Sequence, residues 1–348
     1  MKLNLAANTA MDYYMRVNDR NTVVIITDTR HKPIANALYH AALRKTRKVI
    51  LFDVQSKENK NRKRFPKALI DIISSRPCVV GFNLSSARTG YSKNELMNKA
   101  DPFGDLTDAG NKNIKSASII DISPFLFGEL VSYDPLGIKH VGENVLREVE
   151  GKKLIKIKTE RGTNLKILLN NDWKNDFKPF AYGNYENLPT GEIYNIPINA
   201  NGIFVADWIA TTGIEHAYGP LYKNPLRFKI KDRKVVECDG QKCKKLVDYL
   251  NESICFGPNS TKAEKCTKCT RLASSTFAEV GLGIHPGIRD FSGCSSVDEK
   301  KLGGVHLGVG LLYPENGLNS DTHIDFILRE PTVYVDSKMI IEKGRYVF

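Results

Sequence analysis

The first 130 residues alternate between short apolar segments and segments whose apolar residues have helical spacing. The predicted strands are TVVIITD (22–28), KVILFDV (48–54), CVVGFNL (78–84) and SASIIDI (116–122), and the predicted helices are IANALYHAALRKT (34–46) and FPKALIDIISS (65–75). Strands that are apolar on both faces are typical of a parallel sheet covered by helices. The sequence therefore predicts an α/β domain with a parallel, doubly wound sheet over residues 1–147.

Beyond residue 147 the pattern changes to strands joined by tight turns. EGKKLIKIKTERGTNLKILLNN predicts a β-hairpin that turns at Arg161 and Gly162. Further strands or hairpins are predicted in NGIFVADWI, LRFKIKDRKVVEC and VYVDSKMIIEKGRYVF, and one helix is predicted in KKLVDYLNESI (244–254). Residues 148–348 are thus expected to form an α+β domain rich in antiparallel strands.

The chain is basic, with a formal net charge of +12. A basic balance can indicate nucleic acid or an acidic partner, but much of this charge lies in KENKNRKRFPK (57–67), without interleaved aromatic residues or a nucleic-acid motif. A solvated loop or helix face is the favoured interpretation of that run. No segment approaches the roughly 18 apolar residues of a membrane span, and no secretory signal is recognised near residue 1. We therefore expect a cytoplasmic protein that binds neither nucleic acid nor membrane.

Residues with metal-binding side chains are spread through apolar and glycine-rich segments of the second half. They are Glu192, Glu279, His306, His323 and Asp325. His323 and Asp325 are separated by one residue in LNSDTHIDFIL, so on a strand both would point to the same face. Alone, this pair is equally compatible with a structural hydrogen bond. The whole set is sufficient for two divalent ions that share a bridging carboxylate, and its mixed nitrogen and oxygen donors suit Zn, Co, Mn or Fe.

Four segments between residues 180 and 348 carry a resemblance to a known family. They are AEVGLGIHP, DEKKLGGVHLGVG, THIDFIL and PTVYVDSKMIIEKG. Together they resemble the aminopeptidase T family of metallo-aminopeptidases, in the short form found in bacteria and archaea. The resemblance implies that the five residues above bind a pair of metal ions and that Tyr313, seven residues after His306, lies in the catalytic site. It also implies a homodimer.

The chain departs from the family pattern around the substrate. His306 and His323 are 17 residues apart, which is shorter than in the characterised peptidases, so the loop that frames the substrate must differ. His285 stands where the short form usually has asparagine. A surface or hydrogen-bonding histidine fits this position, and so does an extra ligand or a proton shuttle.

A cysteine-rich segment is a further departure from the family. It contains Cys238 and Cys243, then Cys255, then Cys266 and Cys269. The two pairs have a spacing that could hold a structural zinc ion through four thiolates, and free thiols in a lysine-rich loop are the alternative. The odd total of seven cysteines argues against a disulfide framework.

The favoured function is that of a metal-dependent aminopeptidase or related amidohydrolase acting on a small peptide or amide. Two divalent ions would activate a water molecule and polarise the scissile carbonyl, and Tyr313 would donate a hydrogen bond to the developing oxyanion. The expected cofactors are therefore two ions of Zn, Co or Mn, with an additional structural zinc if the cysteines bind one.

Two other functions remain open at this point. The dihydroxypyridine ring-cleaving dioxygenases are relatives of the same family, and His306, His323 and Asp325 alone would make a two-histidine, one-carboxylate site for a single iron ion. An oxygenase acting on a hydroxylated aromatic ring is thus the alternative, although the presence of Glu192 and Glu279 favours the two-metal hydrolase. The third hypothesis is a non-catalytic protein that kept the scaffold.

Overall fold

The computed structural model describes residues 2–59, 65–84, 102–108, 110–119, 121–208, 221–241, 243–244, 246–247, 255–256, 275–310, 319–320 and 323–348. The described chain divides into two compact units. The first contains residues 1–139 and 176–190, and the second contains residues 140–175 and 191–348. Among the described residues, no helix has both the length and the apolar character needed to cross a membrane.

Helices and strands alternate in the first third of the chain, and strands dominate the rest. The helices are α1 (Lys2–Thr9), which continues as a π-helical segment (Ala10–Tyr14), α2 (Lys32–Leu43), α3 (Lys67–Ser75), α4 (Pro102–Asp108), α5 (Pro124–Val131), α6 (Pro135–Val149) and α7 (Ser295–Asp298). The strands are β1 (Thr22–Thr27), β2 (Val49–Asp53), β3 (Val79–Leu84), β4 (Ile114–Ser118), β5 (Leu154–Lys158), β6 (Asn164–Leu168), β7 (Trp173–Asn175), β8 (Tyr185–Asn187), β9 (Glu192–Asn195), β10 (Asn199–Ala206), β11 (Leu226–Lys231), β12 (Lys234–Asp239), β13 (Cys255–Phe256), β14 (Phe277–Gly283), β15 (Val305–Val309), β16 (Asn319–Ser320), β17 (Ile324–Leu328), β18 (Thr332–Val335), β19 (Lys338–Glu342) and β20 (Arg345–Tyr346).

The first unit is built on a five-stranded parallel sheet with the order β2-β1-β3-β4-β8. Every residue of β1, β3 and β4 is buried, which explains why β1 and β3 are nearly continuous in apolar residues. Val24 and Ile26 of β1 pack with Leu69 and Ile73 of α3 in one cluster, and α2 also packs against β1. The parallel sheet with its helices is therefore confirmed.

The second unit is rich in antiparallel strands, as the sequence predicts. Eight strands form one sheet in the order β12-β11-β10-β6-β5-β18-β19-β20, and five form another in the order β17-β15-β14-β9-β7. β13 and β16 pair separately. Phe204 and Phe228 of the larger sheet pack on Phe326 of the smaller one, with ring centroids 5.8 Å and 5.0 Å apart, so the two sheets share an aromatic core.

Several local predictions can be compared with the described elements. The hairpin at Arg161 and Gly162 is confirmed, since β5 pairs with β6 and Gly162 has a φ of +106°, a conformation that favours glycine. The fifth parallel strand, β8, and helix α6 are not predicted from the sequence. The helix predicted at 244–254 lies mostly outside the described residues.

Candidate metal centre

One face of the five-stranded antiparallel sheet gathers the metal-competent side chains. Glu279 on β14 lies opposite Gly308 on β15, and Gly308 lies opposite Asp325 on β17. His306 lies opposite Gly281, and Glu192 on β9 lies opposite Gly283. Because directly paired residues of antiparallel strands project to the same face, these pairs place one carboxylate or imidazole on each of four adjacent strands.

A β-bulge directs Glu279 toward this face. Phe277 pairs with Val309, but Glu279 pairs with Gly308, so the strand contains one extra residue at Ala278. In a regular strand, positions 277 and 279 would point to the same face. The bulge separates them, since Phe277 packs 6.5 Å from Phe204 in the aromatic core while Glu279 faces the opposite side.

Two glycines leave room for the imidazole rings above the sheet. A Cβ atom at Gly281 would overlap the ring of His306, and a Cβ at Gly308 would lie 2.6 Å from Cε1 of His323 and 2.8 Å from Cβ of Glu279. The rings therefore lie directly over backbone, at positions where any other residue would displace them. This explains why the metal-competent residues are embedded in glycine-rich sequence.

The side chains form two groups that share Glu279. The first group is Glu192, Glu279 and His306, and the second is Glu279, His323 and Asp325, with the potential ligand atoms of each group within 4.8 Å of one another. Nε2 of His306 is 3.2 Å from Oε1 of Glu279 and 3.3 Å from Oε2 of Glu192. Nε2 of His323 is 3.0 Å from Oδ1 of Asp325 and 3.6 Å from Oε2 of Glu279.

These separations fit the edges of a metal coordination sphere. Two donor atoms that each lie about 2.0–2.2 Å from one ion, at angles between 90° and tetrahedral, are about 2.8–3.6 Å apart. All four nitrogen–oxygen distances, from 3.0 to 3.6 Å, fall in this range. Buried carboxylates are unfavourable unless they are paired or bind a cation, and all three carboxylates here are 9% exposed or less. The residues present therefore fit a divalent metal ion.

The backbone fixes the orientation of both imidazoles. Nδ1 of His306 donates to the carbonyl oxygen of Glu299 at 3.3 Å, and Nδ1 of His323 donates to that of Gly310 at 2.8 Å. A histidine whose Nδ1 carries a proton in this way presents Nε2 to a metal, which is the usual arrangement in metal sites. Both Nε2 atoms accordingly face the carboxylates.

The carboxylates dominate the electrostatics of both histidines. Burial by itself lowers the pKa of His306, but the hydrogen bond to Glu279 and the charges of Glu192 and Asp325 outweigh it and raise that pKa to about 10. Burial likewise opposes protonation of His323, and the adjacent Asp325 together with Glu279 raises its pKa to about 10. Without a metal, we therefore expect both imidazoles to be protonated and positively charged at neutral pH.

We expect the two imidazoles to contribute about two protons per chain to the proton release on metal binding at pH 7.5. Both imidazoles, with pKa values of about 10, are protonated in the metal-free protein, and each must lose its Nε2 proton to become a ligand. Calorimetric titration of Zn²⁺ into metal-free protein, in two buffers with different heats of ionisation, measures this number. In His323→Ala the release should be smaller by about one proton, and a wild-type release near zero would contradict the expected protonation states.

Two further residues of the centre are not predicted from the sequence. The ammonium group of Lys300 is 2.8 Å from Oε1 of Glu192 and 2.9 Å from Oε1 of Glu299. Burial raises the pKa of Glu299 to about 7, with Lys300 acting against the rise and Glu192 adding to it. In DEKK, consecutive charged residues resemble a solvated turn, so nothing in the sequence indicates that Glu299 and Lys300 are buried.

His285 belongs to neither of the two groups among the described residues. It is fully buried, and its Nδ1 accepts a hydrogen bond from the backbone N–H of Gly287 at 3.1 Å. The backbone N–H of His285 donates to the carbonyl oxygen of Lys300 at 3.0 Å. It is therefore a buried, hydrogen-bonded histidine on the chain segment next to Lys300. Tyr313 lies outside the described residues, and its predicted role stays a prediction.

The cysteine segment is described only in part. Cys238, at the end of β12, forms a disulfide with Cys243, with Cα atoms 5.8 Å apart. Cys266 and Cys269 lie outside the described residues. A four-thiolate zinc site would need Cys238 and Cys243 as thiolates, which the disulfide between them does not provide. Because the second pair is not described, the zinc site stays a prediction.

Comparison with known proteins gives a likeness in fold but none in sequence. No protein-family model and no curated protein sequence matches this chain. The 2,5-dihydroxypyridine dioxygenase from Pseudomonas putida KT2440 superposes with a TM-score of 0.68 and 14% identity, over 99% of this chain and 96% of that one. AmpT, an aminopeptidase from Thermus thermophilus, superposes with a TM-score of 0.65 and 14% identity, over 100% and 99% of the two chains. The chain therefore shares a fold that is found in both an aminopeptidase and a dioxygenase.

Proposed function

We propose that this protein is a metal-dependent aminopeptidase, or a closely related amidohydrolase, that works with two divalent ions. The observation that carries the proposal is the position of Glu279 between the two groups. Its Oε1 lies 3.2 Å from His306 and its Oε2 lies 3.6 Å from His323. A carboxylate that offers one oxygen to each of two sites is suited to bridge two ions about 3.5–4 Å apart, as in two-metal hydrolases.

The same geometry disfavours the single-iron alternative. An iron site built on His306, His323 and Asp325 requires both imidazoles to converge on one ion. Among the described residues, the two histidines instead fall into different groups, each with its own carboxylate in addition to Glu279. The likeness in fold to the dioxygenase is as strong as that to the aminopeptidase, so the proposal rests on the arrangement of the donors.

The residues of the chain have distinct roles in the proposed reaction. When bound, the two ions supply a water molecule of lowered pKa and a Lewis acid for the carbonyl oxygen. Glu279 would be a ligand to both ions, and the backbone carbonyls of Glu299 and Gly310 hold the two imidazoles in place. We further propose that Tyr313 donates a hydrogen bond to the oxyanion and that a carboxylate of the centre receives the free α-amine of the substrate.

Hydrolysis of substrates with and without a free amine tests the proposal. Protein loaded with Zn²⁺, Co²⁺ or Mn²⁺ is expected to hydrolyse small aminoacyl amides and dipeptides, and to leave the matching N-acetylated compounds much less affected. Oxygen uptake with a hydroxylated pyridine, measured on Fe²⁺-loaded protein, is the parallel assay for the alternative. Two bound ions without hydrolysis of any member of the panel would overturn the aminopeptidase function, and oxygen uptake with one bound iron would favour the oxygenase.

A further inference from the structure

Lys300 is a fully buried lysine whose position is fixed by both its backbone and its side chain. Its backbone N–H donates to the carbonyl oxygen of Val297 at 3.0 Å, and its own carbonyl accepts from His285 at 3.0 Å. Its ammonium group contacts Glu192 at 2.8 Å and Glu299 at 2.9 Å. Lysine is almost never fully buried unless it is paired, and this lysine is 0% exposed. The ammonium group is therefore held at a defined position beside the metal centre.

The two oxygens of Glu192 face different partners. Oε1 accepts the hydrogen bond from Lys300, while Oε2 is 3.3 Å from Nε2 of His306, within the first metal group. An ammonium group that holds one carboxylate oxygen fixes the rotation of the whole carboxylate. We propose that Lys300 is a positioning residue that keeps Oε2 of Glu192 directed at the first of the two ions.

The support that the chain gives to the two sites is unequal. Glu299, the residue before Lys300, orients His306 through its carbonyl oxygen and balances the charge of Lys300 through its carboxylate. Two consecutive residues thus orient two of the three members of the first group. In the second group, His323 is oriented by Gly310 instead. Replacing Lys300 should therefore weaken the binding of the first ion and leave the binding of the second unchanged.

This inference rests on the proposed two-ion centre, and its test does not depend on turnover. Metal-free wild type and Lys300→Met are titrated with Zn²⁺ in a calorimeter, and the two binding steps are compared. We expect one ion to bind about 10- to 100-fold more weakly in the variant, which is the usual effect of losing a residue that orients a ligand. The second ion should bind with wild-type affinity. The matched control is Lys301→Met, because the ammonium group of Lys301 lies 5.5 Å from the ring of Phe291 and has no assigned role in the centre.

A second variant distinguishes loss of positioning from loss of folding. Lys300→Met leaves the buried carboxylate of Glu299 without its ammonium partner. Lys300→Met combined with Glu299→Gln removes both charges and keeps the backbone carbonyl that orients His306. If the double variant binds one ion more weakly and the other with wild-type affinity, the positioning role of Lys300 is supported. This holds even if the single variant fails to fold. Wild-type affinity for both ions in the double variant, or in a folded Lys300→Met, would overturn the role of Lys300 alone. A wild-type protein that binds fewer than two ions would instead overturn the two-ion centre on which it rests.

Discussion

Replacing Glu279 with glutamine is expected to remove both metal ions from the protein, because Glu279 is the one residue common to the two groups. The amide keeps the volume of the side chain but loses the charge and one of the two oxygens that face the histidines. Two-metal activation contributes several kcal/mol to catalysis, so we expect kcat/KM to fall by at least about 10³-fold. Metal content per chain after gel filtration, together with the rate on an aminoacyl amide, measures both effects.

Single-site variants provide the control for the Glu279 experiment. Glu192→Gln should weaken only the first ion, and Asp325→Asn only the second, since each residue belongs to one group. If Glu279→Gln still held one ion tightly, the carboxylate would not bridge. If a single ion of iron were unaffected by the change, the oxygenase alternative would become the better account of the site.

Replacing Gly281 with alanine is the second change with a large expected effect. The added Cβ would overlap Cε1 and Nε2 of His306, the edge of the ring that faces the carboxylates. The ring must move, so we expect the first ion to be lost and activity to fall at least about 10²-fold, by loss of metal activation. Overpacking of a buried site also lowers the free energy of unfolding by about 1–3 kcal/mol, which denaturant titration measures.

Val280→Ala is the matched control for loss of stability without damage to the site. Val280 directly precedes Gly281 in β14, is fully buried, and projects to the face opposite Glu279. Removing two buried carbon atoms should lower the free energy of unfolding by about 2 kcal/mol and leave the metal content unchanged. If Gly281→Ala also kept both ions, the glycine would not be needed to accommodate His306.

Much of the fold is predictable from the sequence because the central strands β1 and β3 of the first unit are buried on both faces. Runs of β-branched residues leave little choice of secondary structure, and β1, β2 and β3 lie where the pattern indicates. The sequence predicts the fourth strand over 116–122, but β4 spans Ile114–Ser118 and shares only three residues with that prediction. β8 contains only Tyr185, Glu186 and Asn187, which carry no strand pattern. It joins the sheet through its pairing with β4, a long-range contact that local periodicity does not reveal.

The centre is predictable by residue type but not in its supporting contacts. The five metal-competent residues stand out because charged side chains are rare in apolar, glycine-rich segments, and the structure brings all five together. The bulge at Ala278 changes the face to which Glu279 points, and no period-2 reading predicts it. The burial of Lys300 likewise depends on tertiary contacts with Glu192, more than 100 residues earlier in the chain.

The route of the chain through its two units limits how the protein can be divided. The polypeptide leaves the first unit after Lys139, returns to it at Asp176 to supply β8, and leaves it again after Thr190. During synthesis the parallel sheet therefore cannot be completed until β8 is made, which happens after β5, β6 and β7 of the other unit. Glu192 follows that returning segment by two residues. Neither unit is encoded by one continuous segment of the sequence, so neither can be transferred to another protein by moving a single segment.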